Sequence, residues 1–221
     1  MGYTENAIFD AGIRMDSFGD ANTNAFKNTK AVGYFVDLKA LVVEANEFGG
    51  LRRASGSAME SNTEHKGVLK RSVIANLREI ARTAQLMEDE EPDFVNEFKL
   101  PRNNLNYQKT LEFAHAFADK GAPIEASFKE YGLPDGTFQE LIADTAALEQ
   151  ANEQQGAAGT TKVGANARVD EVLKGILDQR RKIDVITRNI FANNAQKLAE
   201  WLSASHVERA AKRTPKPQPN S

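Results

Sequence analysis

The sequence predicts an all-α protein: an antiparallel bundle of four long helices, closed by shorter ones, with an internal two-fold duplication. Three observations predict it. Apolar residues recur at spacings of three and four almost throughout, the mark of a helix with one buried face. No stretch alternates apolar and polar residues between turn signals, as a half-buried strand would. The two halves of the chain also match when offset by 103 positions. With 221 residues, 41% of them apolar and 27% charged, the chain has globular composition and suits a single hydrophobic core.

The elements follow in order. A first helix, about Thr4 to Phe18, places Ile8, Phe9 and Ile13 on one side and ends at Gly19-Asp20. A second, about Ala21 to Phe48, carries Phe26, Phe35, Leu38, Leu41, Val42 and Ala45. Gly49-Gly50 should stop it, as C-terminal glycines do, leaving a loop from Leu51 to Asn62. Ser61 and Glu64 have capping-box spacing and should open a third helix bearing Leu69, Val73, Leu77, Ile80 and Met87. After the acidic run Glu88 to Glu91, Pro92 suits a first turn, so a short helix with Phe94, Val95 and Phe98 is expected before Pro101.

From Asn106 to Tyr131 another helix shows Phe113, Phe117, Ile124 and Phe128, kinked at Gly121 and Pro123 and closed by Gly132-Leu133-Pro134. Thr137 and Glu140 form a second capping box, opening a helix to about Gln155. Gly156 to Gly164 is small and polar and reads as a flexible loop. The last long helix, about Ala165 to Phe191, repeats Val169, Ile176, Ile183 and Ile190 every seven residues. Asn193-Asn194 then caps a short helix with Leu198, Trp201 and Leu202. The bundle is expected over residues 1–209, as pseudo-repeats near 1–103 and 104–209. Residues 210–221 form a basic, proline-punctuated tail too poor in apolar groups to fold.

The offset pairs Phe35 with Phe138, Leu38 with Leu141, Leu69 with Val172, Val73 with Ile176, Ile80 with Ile183, Met87 with Ile190, Val95 with Leu198 and Phe98 with Trp201. Repeated spacing over the length of a chain signals a duplicated unit. Leu77 is the partner of Arg180, a charge on an apolar stripe. That guanidinium must reach solvent or pair with a carboxylate such as Glu44 or Asp144. Its alternatives are a polar ligand pocket or a partner contact.

The runs Ile183-Asp184-Val185-Ile186-Thr187-Arg188-Asn189, Leu198-Ala199-Glu200-Trp201, His206-Val207-Glu208-Arg209 and Phe98-Lys99-Leu100-Pro101-Arg102 resemble a group of all-helical bacterial proteins. The resemblance spans about Phe26 to Arg209. It implies a bacterial source and a helical fold, and no activity is attached to it.

Chemical motifs are sparse. There is no cysteine, which removes disulfides, thiolate metal sites and a Cys nucleophile. Neither G-x-S-x-G nor a phosphate-cradling glycine loop occurs. A di-metal bundle centre needs two Glu-x-x-His pairs, and the sequence offers one, Glu112 with His115. No cofactor is expected, and these two residues are the only metal candidates. The longest strongly apolar run, Ala40 to Val43, is far short of the roughly 20 residues that span a bilayer. A cytoplasmic protein with no membrane partner is the expectation.

The net charge of −3 argues against a uniformly basic nucleic-acid binder. Charge is uneven, however: residues 104–161 hold 3 cations and 9 acids, whereas 162–221 hold 12 and 6. Arg180, Arg181, Lys182, Arg188, Arg209, Lys212, Arg213 and Lys216 are therefore the candidates for an anionic partner. Phe94, Phe98 and Trp201 are candidate interface residues, since large aromatics concentrate at interface cores. The leading expectation is a non-enzymatic scaffold or protein-interaction module that binds another protein or itself. Nucleic-acid or other anion binding is the alternative, and a metal or small-ligand site inside the bundle is third.

Overall fold

The computed structural model describes residues 2–91, 93–102 and 105–208. Within them the protein is all helical: α1 (Tyr3–Ala21), α2 (Thr23–Phe26), α3 (Ala31–Glu90), α4 (Tyr107–Gly121), a 3₁₀ turn (Ala122–Ile124), α5 (Glu125–Glu130), α6 (Thr137–Ile190) and α7 (Ala195–Ala204). Among the described residues no helix is long and apolar enough to cross a membrane.

Each of the two expected pairs of long helices is one continuous helix, of 60 residues in α3 and 54 in α6. Gly49-Gly50 does not end α3, and residues 51–62 are helical. Neither glycine adopts the positive φ that a C-terminal cap requires. A mid-helix glycine costs only about 1 kcal/mol, and tertiary contacts on either side outweigh it. Ala45 and Ser55 are buried, and Arg52 grips Glu5 of α1 through two hydrogen bonds, at 2.7 and 3.2 Å. Residues 156–164 are likewise helical, between buried Ala151 and Ala165. The first proposed capping box, at Ser61, therefore lies mid-helix.

The second box is displaced as well. Gly136, at φ +83°, precedes α6 and its carbonyl takes the first helical bond, from Glu140, while the Thr137 hydroxyl donates back to Pro134. The positive φ of Gly132 belongs to a Schellman ending of α5: Gly132 N donates to Lys129 and Leu133 N to Phe128. Asn106 and Asn194 cap α4 and α7 by accepting from Lys109 N and Lys197 N.

The short helix expected after Pro92, a residue outside the described ones, is absent: residues 94–101 are coil. Asn96 is buried, accepts from Phe98 N at 2.9 Å and donates to Glu88 at 3.0 Å. Such a local side-chain bond competes with helix formation. The expected basic tail, with Arg209, Lys212, Arg213 and Lys216, lies outside the described residues.

The chain forms two compact units, one from residues up to 54 and from 161 onward, the other from Ser55–Thr160. The core of the first unit gathers Met15, Phe18, Phe26, Leu38, Val169, Ile176, Ile183 and Trp201. That of the second gathers Val73, Leu77, Ile80, Met87, Phe98, Phe117, Phe128, Phe138 and Leu141. In the first unit α3 meets α6 where Leu41 packs on Gly175 and Arg168 pairs with Glu44. In the second, Ser72 donates to Asp144 and Lys66 to Asn152.

Candidate functional site: a cationic groove in the second unit

In the second unit, the outer face of α3 and the coil segment 96–102 enclose a groove. Core packing sets its geometry. Leu69, Val73, Leu77 and Ile80 turn inward, so Lys70, Arg71, Ile74, Arg78 and Arg82 turn outward on successive turns. The segment opposite is anchored by Phe98, which sits edge-on to Phe117 and Phe128 at 5.2 and 5.1 Å between ring centres. Glu88 fixes it a second time, accepting from Asn96 at 3.0 Å and from Lys99 at 2.9 Å. These two hydrogen bonds, Lys99 first, hold the Glu88 carboxyl below its ordinary pKa.

Two adjoining cavities make up the groove. One, of about 670 Å³, is lined by Arg78, Arg82, Lys99, Glu79 and Gln85 over Ala75, Ala81 and Leu100. The other, of about 510 Å³, is lined by Lys70, Arg71, Arg78 and Arg102 over Ile74, Leu100 and Leu105. Arg78 and Leu100 border both. The described lining thus carries six cations and a single carboxylate, Glu79, with no histidine, serine or threonine.

The cations are also uncompensated. Lys99 pairs with Glu88, but among the described residues Lys70, Arg71, Arg78, Arg82 and Arg102 have no carboxylate within ion-pair distance. Arg78 and Arg82 are four apart on one helix, where like charges repel by a few tenths of a kcal/mol. Neighbouring Lys66 is differently engaged, donating to Asn152 and Gln155 and lying 4.4 Å over the Tyr107 ring.

The cations singled out from the sequence are placed otherwise. Arg181, 103 positions after Arg78, pairs with Asp178 at 2.9 Å; Arg188 pairs with Asp184 at 2.8 Å; Lys182 lies 5.3 Å over the Tyr34 ring. Arg180 is half-buried at the edge of a cavity it shares with Leu177, Ile8 and His206. It has neither partner expected for it, because Glu44 is taken by Arg168 and Asp144 accepts from Ser72. The structure therefore does not bring Arg180, Arg181, Lys182 and Arg188 together as one open anion patch. Arg209, Lys212 and Arg213 lie outside the described residues.

Glu112 and His115 are exposed on α4, and His115 Nε2 meets Glu149 at 3.1 Å. No group of three metal-ligating side chains occurs among the described residues. Phe98 and Trp201 are enclosed by their own units, at 2% and 0% exposure, which corrects the expectation that they face a second molecule. Phe94 is half-buried against the same core as Phe98.

The groove was missed in the sequence although a signal exists: residues 65–78 hold Lys66, Lys70, Arg71 and Arg78 and no carboxylate. Arg71 and Arg78 are seven apart, and Arg82 follows four later. Read as helix, that spacing is one face. Lys99 and Arg102 join it only through the tertiary fold. Comparison with family models, with curated proteins and with solved structures finds no match to this chain.

Proposed function

We propose that this protein is a non-enzymatic binding module whose partner is anionic and lies in the groove of the second unit. One observation carries the reading: five cations share a concave surface with no ion-pair partner of their own among the described residues. Natural helices usually interleave opposite charges, and a local departure from such a rule is where function is sought. The groove has convergent guanidinium groups, which bind phosphate or carboxylate through two parallel hydrogen bonds. It lacks a nucleophile beside a base, the minimum for covalent catalysis.

Tripolyphosphate is a suitable probe, followed by calorimetry and by NMR of the arginine side chains. Binding is expected to weaken with added salt and to fall about tenfold or more in R78Q/R82Q. Unchanged affinity in that variant would place the anion site elsewhere and end this reading.

A second reading, self-association, has its own observation. Val32, Val36 and Val43 form a stripe on α3 of the first unit at 42%, 64% and 54% exposure, beside a cavity of about 240 Å³ bounded by Phe35 and Val36. Their spacing puts them on one helical face. Sedimentation across a concentration series should show association that V36E abolishes; a strict monomer at high concentration removes it.

A further inference from the structure

We infer that the occupant of the groove is a single-stranded nucleic acid, held through its phosphates without regard to sequence; this rests on the anion-binding reading above. Length is the first argument. From Gly67 to Gln85 the lining runs along 19 residues of α3, about 27 Å at the helical rise. A compact anion would occupy one end. Arg71, Arg78 and Arg82, with Arg102 opposite, instead distribute charge along the path, as a polymer of repeated phosphates requires.

The second argument is the kind of contact offered. Arg71, Arg78, Arg82 and Arg102 are all solvent-exposed, so they act by neutralising charge and releasing counterions rather than by reading buried polar groups. A peptide partner draws most of its binding energy from anchor side chains in desolvated pockets, whereas the apolar lining here is small or only half-buried: Ala75, Ala81, Ile74 and Leu100.

The third argument selects a strand over a duplex. The cations stand on both walls of a concave site, α3 on one side and the 99–102 segment on the other, with apolar Ile74, Leu100 and Pro101 beside them, a path that a flexible strand can follow and a rigid duplex cannot. No aromatic ring stands exposed in the lining, so base stacking, which gives single-strand binders much of their affinity, is a minor contribution. Salt dependence is then the signature.

The test is fluorescence anisotropy of a labelled mixed-sequence 20-nucleotide strand with the full chain. Expected is binding whose log K falls with log salt at a slope of about −3 to −4, from about 0.7 per neutralised phosphate and five contacts. R78Q should reduce that slope by about 0.7, R71Q/R78Q/R82Q should abolish binding, and circular dichroism should be unchanged because the replaced side chains are exposed. A scrambled sequence should bind equally. The inference is overturned by preference for a duplex of the same sequence, by equal or tighter binding of polyglutamate or of phosphatidylglycerol vesicles, or by loss of binding in R180Q/R181Q/K182Q with Arg78 and Arg82 unchanged. If tripolyphosphate occupies the groove while the strand does not bind, this inference fails and the anion-binding reading stands; if neither binds, both fail.

Discussion

At the scale of single residues, Asp184 is the polar group that ties the buried tryptophan of α7 to α6. Trp201 is fully buried, and its indole N–H donates to Asp184 Oδ1 at 2.8 Å, while Arg188 donates to Oδ2 at 2.8 Å. Burial alone would raise the Asp184 pKa, but the hydrogen bonds from Arg188 and Trp201 outweigh it and hold the carboxyl below its usual range. Removing the acceptor with D184A leaves a buried N–H unpaired, at a cost of about 1.5–3 kcal/mol. The sign with pH follows from the lowered folded-state pKa. The contribution is complete above the unfolded carboxylate value of about 3.9, and it is lost as pH falls through the lower folded value. Urea unfolding followed by the emission of the single tryptophan should show D184A less stable at pH 7, with the difference from wild type shrinking under acid. A constant difference down to the acid limit would show that the carboxylate's charge is not what stabilises the indole.

At the scale of elements, the helical faces were legible in the sequence and several of the breaks were not. Val73, Ile80, Ile176 and Ile183 turn out fully buried where the three-and-four spacing put them, because periodicity reports which face meets the core. Gly49-Gly50 and residues 156–164 were misread because glycine enrichment looks the same in a loop and in a helix that tolerates it; tertiary contacts decide, and they are not local in sequence. The coil segment 94–101 was misread for a related reason: the Asn96 bond to Phe98 is local, but the bond to Glu88 that fixes it forms only once the chain folds back. The groove suffered twice: its helical half was hidden by averaging charge over the chain, and its other half sits on that misread segment. Gly50 and Gly156 provide the test. A β-carbon at either meets nothing within 4 Å, and both are helical, so G50A and G156A should each stabilise the protein by about 0.5–1 kcal/mol. Neutral effects on the denaturation midpoint of both variants would fit loops instead.

At the scale of the whole molecule, the two units build their cores from similar parts at matching sequence positions. In the first, Gly19 lies against the Phe35 ring, and Phe35 is 5.0 Å from Phe26; in the second, Gly121 lies against Phe138, and Phe138 is 5.3 Å from Phe128. Phe98 and Trp201, 103 apart, are both enclosed. Buried Asn76 and Gln179, also 103 apart, each leave one amide atom without a hydrogen-bond partner. The match is broken where Leu77 is fully buried and Arg180 is only half-buried. It is broken again where Arg78 lacks the carboxylate that Asp178 supplies to Arg181. We propose that a repeated unit accounts for the shared parts, in which case the groove lies where the second unit departs from the first. The reading makes an energetic demand. A β-carbon on Gly19 or Gly121 would overlap the facing ring, so G19A and G121A should each destabilise by about 1–3 kcal/mol, the usual cost of overpacking. Each should be rescued by trimming its own ring, F35L for the first and F138L for the second, and by neither exchanged. Thermal unfolding of the four double variants measures this directly. If one glycine tolerates alanine while the other does not, or if the rescues fail to sort by unit, the two cores are not equivalent and the duplication should be set aside.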